Sequence, residues 1–196
     1  MRTFILFARK ARSDSNFSIE DLPGSGGRMD LVARCITAAL WLSHNIRDDA
    51  RIYVVLNGPG NPPVTVCFDG SKIMKVSTDE RATAMWIRKV LDEKFDKEWH
   101  TTYNGIMIAR KSFQDIVKEL KDSKFYVLHE NGESIDNVKI EGDPVFILGD
   151  HLGIPDKDES FVFRYGAEKV SLGKQVYLAS SCISVINWVL DQKDIV

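Results

Sequence analysis

The chain has 196 residues, of which 44% are hydrophobic and 28% are charged, and its formal net charge is −2 with a sequence pI near 6.1. This composition is typical of a globular protein with one good-sized core, and no apolar run approaches the roughly 18 to 20 residues of a membrane-spanning helix. The three cysteines form no C-x-x-C pair and the four histidines no H-x-x-x-H pair, which argues against a disulfide framework and against a zinc site.

The N-terminal region is predicted to form a strand and a helix joined by a long polar segment. MRTFILFARK regains charge too soon for a signal peptide, so we read residues 3–7 as the first strand and expect a cytoplasmic protein. The polar segment ends in PGSGG at 23–27 and is long enough to be functional. The apolar residues of MDLVARCITAALWL then recur at the spacing of an amphipathic helix.

The middle of the chain alternates between strands and helices. RIYVVL (51–56), VTVCF (64–68) and GIMIA (105–109) are read as strands, with the turn-rich NGPGNPP between the first two. Ser77 and Glu80 have the spacing of a capping box and predict a helix start. Ser112 predicts the start of a second helix.

The last third repeats one pattern, in which an apolar strand runs into a loop of small or polar residues. FYVL (125–128) runs into HENG, PVFIL (144–148) into GDHLG, and QVYLA (175–179) into SSC. A final helix follows, with Trp188 read either as core or as part of a subunit contact. The alternation predicts an α/β protein with a largely parallel sheet, and the continuous apolar strands indicate burial on both faces.

The loops after these three strands are the candidate ligand site. In an open α/β sheet, ligands bind beyond the carboxyl ends of the strands. Small and glycine-bearing loops offer main-chain groups and close approach, which suits a cofactor better than nucleophilic attack. Neither G-x-G-x-x-G nor G-K-[ST] occurs, so a ligand with adenine but no phosphate, such as S-adenosylmethionine, remains open.

Several single residues have two readings. Residues 1–47 hold seven Arg or Lys against four acidic residues, which favours either a phosphate-binding face or ordinary solvated surface. Asp150 and His151 are candidates for acid–base chemistry, but adjacent loop residues point apart. Cys182, at the start of the last helix, is a candidate thiolate, although packing is the commoner role. Asp30 suits the first turn of a helix as well as catalysis.

Four stretches together resemble one family: FSIEDLPGSGGRMDLVARCI, YVLHENG, VFILGDHLGIP and YLASSCISVINWVLD. They are similar to the archaeal tRNA pseudouridine-54 N1-methyltransferases, of the SPOUT class of S-adenosylmethionine-dependent RNA methyltransferases. The resemblance covers nearly the whole chain. It implies a mostly parallel sheet flanked by helices, a deep C-terminal trefoil knot and a homodimer. It also implies a single domain with an RNA-facing part (1–122) and a knotted cofactor-binding part (123–196).

The resemblance also implies roles for individual residues, with the T-loop of tRNA as substrate and neither a metal nor a membrane as partner. The implied cofactor-binding residues are Leu128, Glu130, Gly132, Leu148, Gly149, Leu152, Gly153, Leu172, Leu178, Ala179, Ser180 and Cys182. The candidates for removing the proton from N1 of pseudouridine are Asp30, Asn57 and Asp69. Arg9, Arg12, Arg28 and Arg34 are expected to bind RNA phosphates.

Three other functions remain open at this point. A related methyltransferase acts on pseudouridine of ribosomal RNA with the same chemistry. A non-catalytic RNA-binding homologue would keep the fold without cofactor affinity. A cysteine-dependent hydrolase built on Cys182 is the least favoured, because no histidine lies in a recognisable catalytic context.

Overall fold

The protein folds around one sheet of eight strands in the part of the chain that the computed structural model describes, residues 1–102 and 104–193. The strands are β1 (Arg2–Ala8), β2 (Ala50–Leu56), β3 (Val64–Asp69), β4 (His100–Thr101), β5 (Met107–Ala109), β6 (Lys124–Ser134), β7 (Pro144–Gly149) and β8 (Glu168–Ser171). The helices are α1 (Met29–Leu40), α2 (Glu80–Leu91), α3 (Phe113–Glu119), α4 (Asp156–Phe163) and α5 (Ala179–Gln192).

Strand order in the sheet is β4-β5-β3-β2-β1-β7-β6-β8. The five strands from β2 to β8 in that order pair in parallel, which confirms the predicted α/β class. The pairings of β3 with β2 and β5, and of β4 with β5, are antiparallel. The carboxyl ends of the parallel strands therefore meet at one edge of the sheet, and the carboxyl end of β3 lies at the opposite edge.

The sheet is buried on both faces, as its apolar strands predict. In β1, Phe4 and Leu6 face a core cluster that includes residues of α1, α2 and α5. Ile5 and Phe7 face a second cluster with residues of α3 and α4. Full burial of an apolar side chain of this size stabilises the fold by about 1.5–3 kcal/mol, so this alternation fixes the three-layer arrangement.

The helix starts confirm one sequence prediction and correct another. Ser112 begins α3 with a capping box to Asp115, as expected. The predicted capping box of Ser77 and Glu80 is wrong, because Asp79 is the N-cap of α2 and its carboxylate accepts a hydrogen bond from the main-chain N–H of Ala82 at 2.9 Å. Ser77 lies two residues earlier and accepts from the N–H of Asp79.

The region after β7 differs from the sequence prediction. The predicted strand at 175–179 is wrong: residues 175–178 are exposed and precede α5, and the position beside β6 belongs to β8. Helix α4 was also missed. Residues 129–132 bulge out of β6 between Leu128 and Glu133, which both pair with Val170. The predicted loop thus lies within a longer strand.

A buried arginine joins the first strand to the last helix. Arg2 is 2% exposed and pairs with Asp49 at 2.7 Å and with Asp191 of α5 at 2.8 Å. Asn187 of α5 donates a hydrogen bond to the carbonyl of Ala38 in α1 at 2.9 Å. The carboxyl half of α5 is therefore anchored, and its amino end is held at the carboxyl edge of the sheet.

Among the described residues, none of the helices combines the length and the apolar character that crossing a bilayer requires.

Candidate functional site

A cavity of about 600 Å³ lies at the carboxyl edge of the sheet, between the ends of β6, β7 and β8 and the start of α5. Its volume is within the range of small-molecule sites. Its lining includes the bulge of β6, the loop after β7 and the segment between β8 and α5. The expected convergence of the three chain regions is therefore confirmed by the geometry.

Nine of the residues expected to bind a cofactor line this cavity: Leu128, Glu130, Leu148, Gly149, Gly153, Leu172, Leu178, Ala179 and Cys182. Gly132, Leu152 and Ser180 are not in the lining. Gly132 instead packs on the main chain of Val170, where an added Cβ would come within 2.6 Å. Leu152 contributes main-chain contacts to the loop and exposes its side chain.

The cavity also has lining residues outside the loops predicted to hold the ligand: Leu31, Val170, Ser171, Gly173, Gln175, Val176 and Tyr177. His129, Asp150 and His151 line it as well, within those predicted loops. Val176 and Tyr177 were predicted to lie in a strand, so they were not expected to line the cavity. A signal was present, because Gly173 and Lys174 interrupt the apolar run between β8 and α5. Leu31 reaches the cavity from α1, and no local pattern indicates this.

The loop after β7 closes tightly on itself and on β1. A Cβ on Gly149 would lie 2.4 Å from the carbonyl carbon of Gly153, so only glycine fits there. Asp150 Oδ2 accepts a hydrogen bond from the main-chain N–H of Arg9 at 2.7 Å, and Oδ1 accepts one from Leu152 at 2.9 Å. With both oxygens engaged, Asp150 is poorly placed for acid–base work.

Asp30 is held between two arginines. Its carboxylate accepts two hydrogen bonds from Arg28, at 3.0 and 3.2 Å, and one from Arg34 at 2.8 Å. Burial alone would raise the pKa of Asp30, but these hydrogen bonds outweigh it and hold the pKa below its usual value. Such a carboxylate stays ionised and is a weak proton acceptor.

The cluster of Arg28, Asp30 and Arg34 lies beside the cavity. Leu31, the next residue of α1, lines it. Arg28 takes a left-handed conformation (φ 72°) at the start of α1, where non-glycine residues are strained. Asp30, and to a smaller extent Asp150, raises the pKa of Arg28.

The two other candidate proton acceptors lie at opposite edges of the sheet. Asn57 follows β2, and its main-chain N–H donates to the carbonyl of Ala8 at 2.9 Å, so it lies at the edge that carries the cavity. Asp69 is fully buried at the end of β3 and pairs with Arg51 at 2.6 Å. The prediction that placed Asp69 near the site is wrong, because β3 runs antiparallel to β2.

The four arginines expected to bind RNA have different partners. Arg9 is exposed and donates to the carbonyl oxygen of Leu152 at 3.1 Å. Arg12 forms two hydrogen bonds with Asp14, at 2.7 and 2.8 Å, and Arg28 and Arg34 share Asp30. Arg9 therefore keeps the charge least offset by a carboxylate, and RNA binding by all four stays a prediction.

Cys182 lines the cavity, but it is not an activated thiol. Burial raises the pKa of the Cys182 thiol, against the effect of its position at the start of α5. A hydrolase needs a thiolate, so this observation disfavours the cysteine-dependent alternative. Nor do the described residues include a group of three or more His, Cys, Asp or Glu side chains placed to hold a metal ion.

Comparisons with known proteins agree on one family. A family model described as "Putative SAM-dependent RNA methyltransferase" matches residues 1–195. A protein of Methanocaldococcus jannaschii named tRNA (pseudouridine(54)-N(1))-methyltransferase is 45% identical over 203 residues, which cover 100% of this chain and 98% of that protein. A protein of Thermococcus kodakarensis with the same name is 41% identical over 97% of this chain and 99% of its own length.

A solved structure shows the same fold at low sequence identity. Nep1 of Archaeoglobus fulgidus, crystallised with S-adenosylhomocysteine, superposes with a TM-score of 0.68 and 13% identity over 97% of both chains. This likeness supports the fold assignment independently of the sequence relatives.

Proposed function

The chain belongs to the family of S-adenosylmethionine-dependent RNA methyltransferases, and from this membership we propose that it methylates N1 of pseudouridine 54 in the T-loop of tRNA. One observation carries the choice of substrate. Eight curated relatives, 39–45% identical over at least 97% of this chain, have the name tRNA (pseudouridine(54)-N(1))-methyltransferase. The product is N1-methylpseudouridine. We place the activity in the cytoplasm, where its substrate tRNA is found.

The cavity suits the cofactor in size and in chemistry. Leu148, Leu172 and Leu178 offer apolar walls for an adenosyl group, and the glycine-bearing loop 149–153 offers main-chain donors and acceptors. Residues of these types, with few charged side chains, favour a large nucleoside that is recognised mainly by shape and main-chain hydrogen bonds. When bound, S-adenosylmethionine supplies an electrophilic methyl group on a sulfonium.

The chain's residues would act on the RNA base at the mouth of this cavity. N1 of pseudouridine carries a proton, because the base is joined to ribose through carbon, and this proton must leave as N1 is methylated. Asp30 is a weak proton acceptor in its present contacts. We therefore propose that Asp30 serves the reaction by holding Arg28 and Arg34 in position to bind the RNA backbone. Asn57 lies farther along the same edge of the sheet.

RNA binding and dimer formation are further parts of the proposal. Arg9, Arg12, Arg28 and Arg34 all belong to the segment between β1 and α1 or to α1 itself. A homodimer is supported by large apolar side chains that are exposed near the cavity and on α5: Leu152, Val176, Tyr177, Leu178 and Trp188. Such a patch is typical of a subunit interface.

A C-terminal trefoil knot is also part of the proposal. Its support is the family membership and the likeness to Nep1 over the whole chain. We also retain the division into an RNA-facing part (1–122) and a cofactor-binding part (123–196). The sheet joins these parts directly, because β1 pairs with β7.

The test uses purified protein, labelled S-adenosylmethionine and two tRNA transcripts that differ only at position 54. The transcript with pseudouridine 54 is expected to gain one methyl group, mapped by mass spectrometry to N1 of that base. The uridine-54 transcript is the matched control, because N1 of uridine is bonded to ribose. Methylation of ribosomal RNA pseudouridine instead, or RNA binding without cofactor affinity, would replace this proposal with one of the alternatives.

A further inference from the structure

The loop after β7 is fastened to β1 by one carboxylate. The main-chain N–H of Asp150 donates to the carbonyl of Phe7 at 3.0 Å, which continues the pairing of β1 with β7 beyond Gly149. The chain then turns, and the N–H of Gly153 donates to the carbonyl of Asp150 at 2.9 Å. The side chain of Asp150 completes the arrangement, because its two oxygens accept the main-chain N–H groups of Arg9 and Leu152.

This carboxylate therefore adds a second link between the end of β1, at Arg9, and the turn of the loop, at Leu152. Asp150 is 8% exposed, and hydrogen bonds from main-chain N–H groups to a shielded carboxylate are stronger than those between neutral groups. The loop is bounded by Gly149 and Gly153, the second with φ 70°, so its own backbone preferences define its shape weakly. The hydrogen bonds to Asp150 supply the conformational restraint that the glycines do not.

The loop shape matters because its residues form one wall of the cavity. Leu148, Gly149 and Gly153 line it on this side. The guanidinium of Arg9 also rests on this loop, through the carbonyl of Leu152. The side chain of Asp150 thus contacts both the end of β1 and this wall of the cavity.

We propose that Asp150 is a positioning residue for cofactor binding: its carboxylate holds the loop 150–153 on β1 in the shape that receives the cofactor. It does so without taking part in proton transfer. The proposal rests on the proposed function only for the identity of the cofactor.

The variant Asp150→Asn tests this role. The amide has the size of the carboxylate but turns one acceptor into a donor, which would face an N–H of Arg9 or Leu152. Calorimetry with S-adenosylhomocysteine should show affinity lowered about tenfold or more, the loss expected for a charge-assisted hydrogen bond. Hydrogen exchange of the Arg9 and Leu152 amides should become faster in the cofactor-free protein.

Kinetics on the pseudouridine-54 transcript separate positioning from general damage. The KM for S-adenosylmethionine should rise in Asp150→Asn, whereas kcat at saturating cofactor should stay within about twofold. The reason is that the variant weakens cofactor binding equally in the ground state and in the transition state, which leaves the chemical step unchanged. Asp156→Asn makes the same chemical change at an exposed residue six positions later and should alter neither quantity.

Three outcomes would overturn the proposal: unchanged S-adenosylhomocysteine affinity in Asp150→Asn, a fall in kcat with KM unchanged, or a variant that does not fold. The last would assign Asp150 to the fold as a whole. Wild-type protein that binds S-adenosylhomocysteine but does not methylate pseudouridine tRNA would remove the proposed substrate and leave the role of Asp150 standing. Wild-type protein that binds no S-adenosylhomocysteine would remove both.

Discussion

A carboxylate that two arginines hold, as Arg28 and Arg34 hold Asp30, keeps its charge at neutral pH and takes up a proton poorly. The same contacts fix the directions of both guanidinium groups beside the cavity. Asp30 was chosen from the sequence as a candidate base, and its partners change that role. Its effect on the reaction should pass through the arginines.

Replacing Asp30 by Ala should slow single-turnover methyl transfer about 10- to 100-fold, because displaced groups at a reaction site cost rates of this order. Affinity for S-adenosylhomocysteine should be nearly unchanged. Asp30→Asn retains one acceptor oxygen for the arginines, so it should recover part of the rate and keep the wild-type pH profile. A base role for Asp30 predicts the opposite, with the acid limb of the profile lost in Asp30→Asn. An unaltered single-turnover rate in Asp30→Ala would remove the residue from the mechanism.

Asp69 offers a contrasting test, because it is buried far from the cavity. Asp69→Asn should lower the free energy of unfolding at pH 7 by about 1–3 kcal/mol, the cost of weakening a buried charged hydrogen bond. The rate of methyl transfer per folded molecule should not change. Urea denaturation and single-turnover kinetics measure the two quantities, and a rate loss without a stability loss would contradict this assignment.

The sign of the pH dependence follows from the contacts of Asp69. Burial would raise its pKa, but hydrogen bonds from Ser71 and Arg51 lower it overall. A lowered folded-state pKa means that the stabilisation is fully present above the unfolded-state pKa and is lost as the pH falls through the folded-state pKa. The stability difference between wild type and Asp69→Asn should therefore shrink in acid.

At the scale of the elements, α2 shows that the spacing of two residues does not identify a cap. Asp79→Ala should destabilise the protein by about 0.5–2 kcal/mol, the usual value of an N-cap side chain. Ser77→Ala should cost less, because the lost hydroxyl accepts the N–H of Asp79, outside the helix, and the carbonyl that accepts from Thr83 is kept. Thermal or urea unfolding of the two variants gives the order, and the reverse order would restore the capping box of Ser77 and Glu80.

The elements that could be predicted from the sequence are those whose burial is visible in the local pattern. Strands β1, β2 and β7 are continuous apolar runs, and α1 has a regular apolar face. Strand β8 has four residues, and the buried residues of α4 are Asp158 and Val162, so neither gives a recognisable pattern. The run at 175–178 was wrongly predicted to be a strand, because its apolar residues line the cavity and the surface and do not pack in the sheet.

Strand direction explains the rest of the difference between sequence and structure at the site. The bulge of β6 and the loop after β7 meet at the cavity because these strands are parallel. Asp69 was placed with them because nothing in VTVCFD indicates that β3 runs the other way. The hydrogen bonds that Asp150 accepts from Arg9 and Leu152 join residues up to 141 positions apart, and no local sequence pattern predicts such a contact.

At the scale of the whole molecule, several large apolar side chains are exposed. Trp188 of α5 is 62% exposed and Val176 is 84% exposed, close to the cavity mouth. Trp188→Glu should raise the dissociation constant of the proposed dimer by about tenfold or more, since a buried tryptophan is often a dominant residue of an interface. Light scattering across a dilution series measures this, with Gln192→Glu on the same helix as control. A wild-type protein that is monomeric at high concentration would contradict the dimer.

The pairing of Arg2 with Asp191 makes the order of translation relevant to when the protein can work. Arg2 is synthesised well before α5. Until α5 emerges, its guanidinium can pair with Asp49 but not with Asp191. The same late helix carries Ala179 and Cys182 of the cavity wall. A nascent chain that lacks these residues lacks part of the cavity wall. The site therefore becomes complete only after α5 has been made.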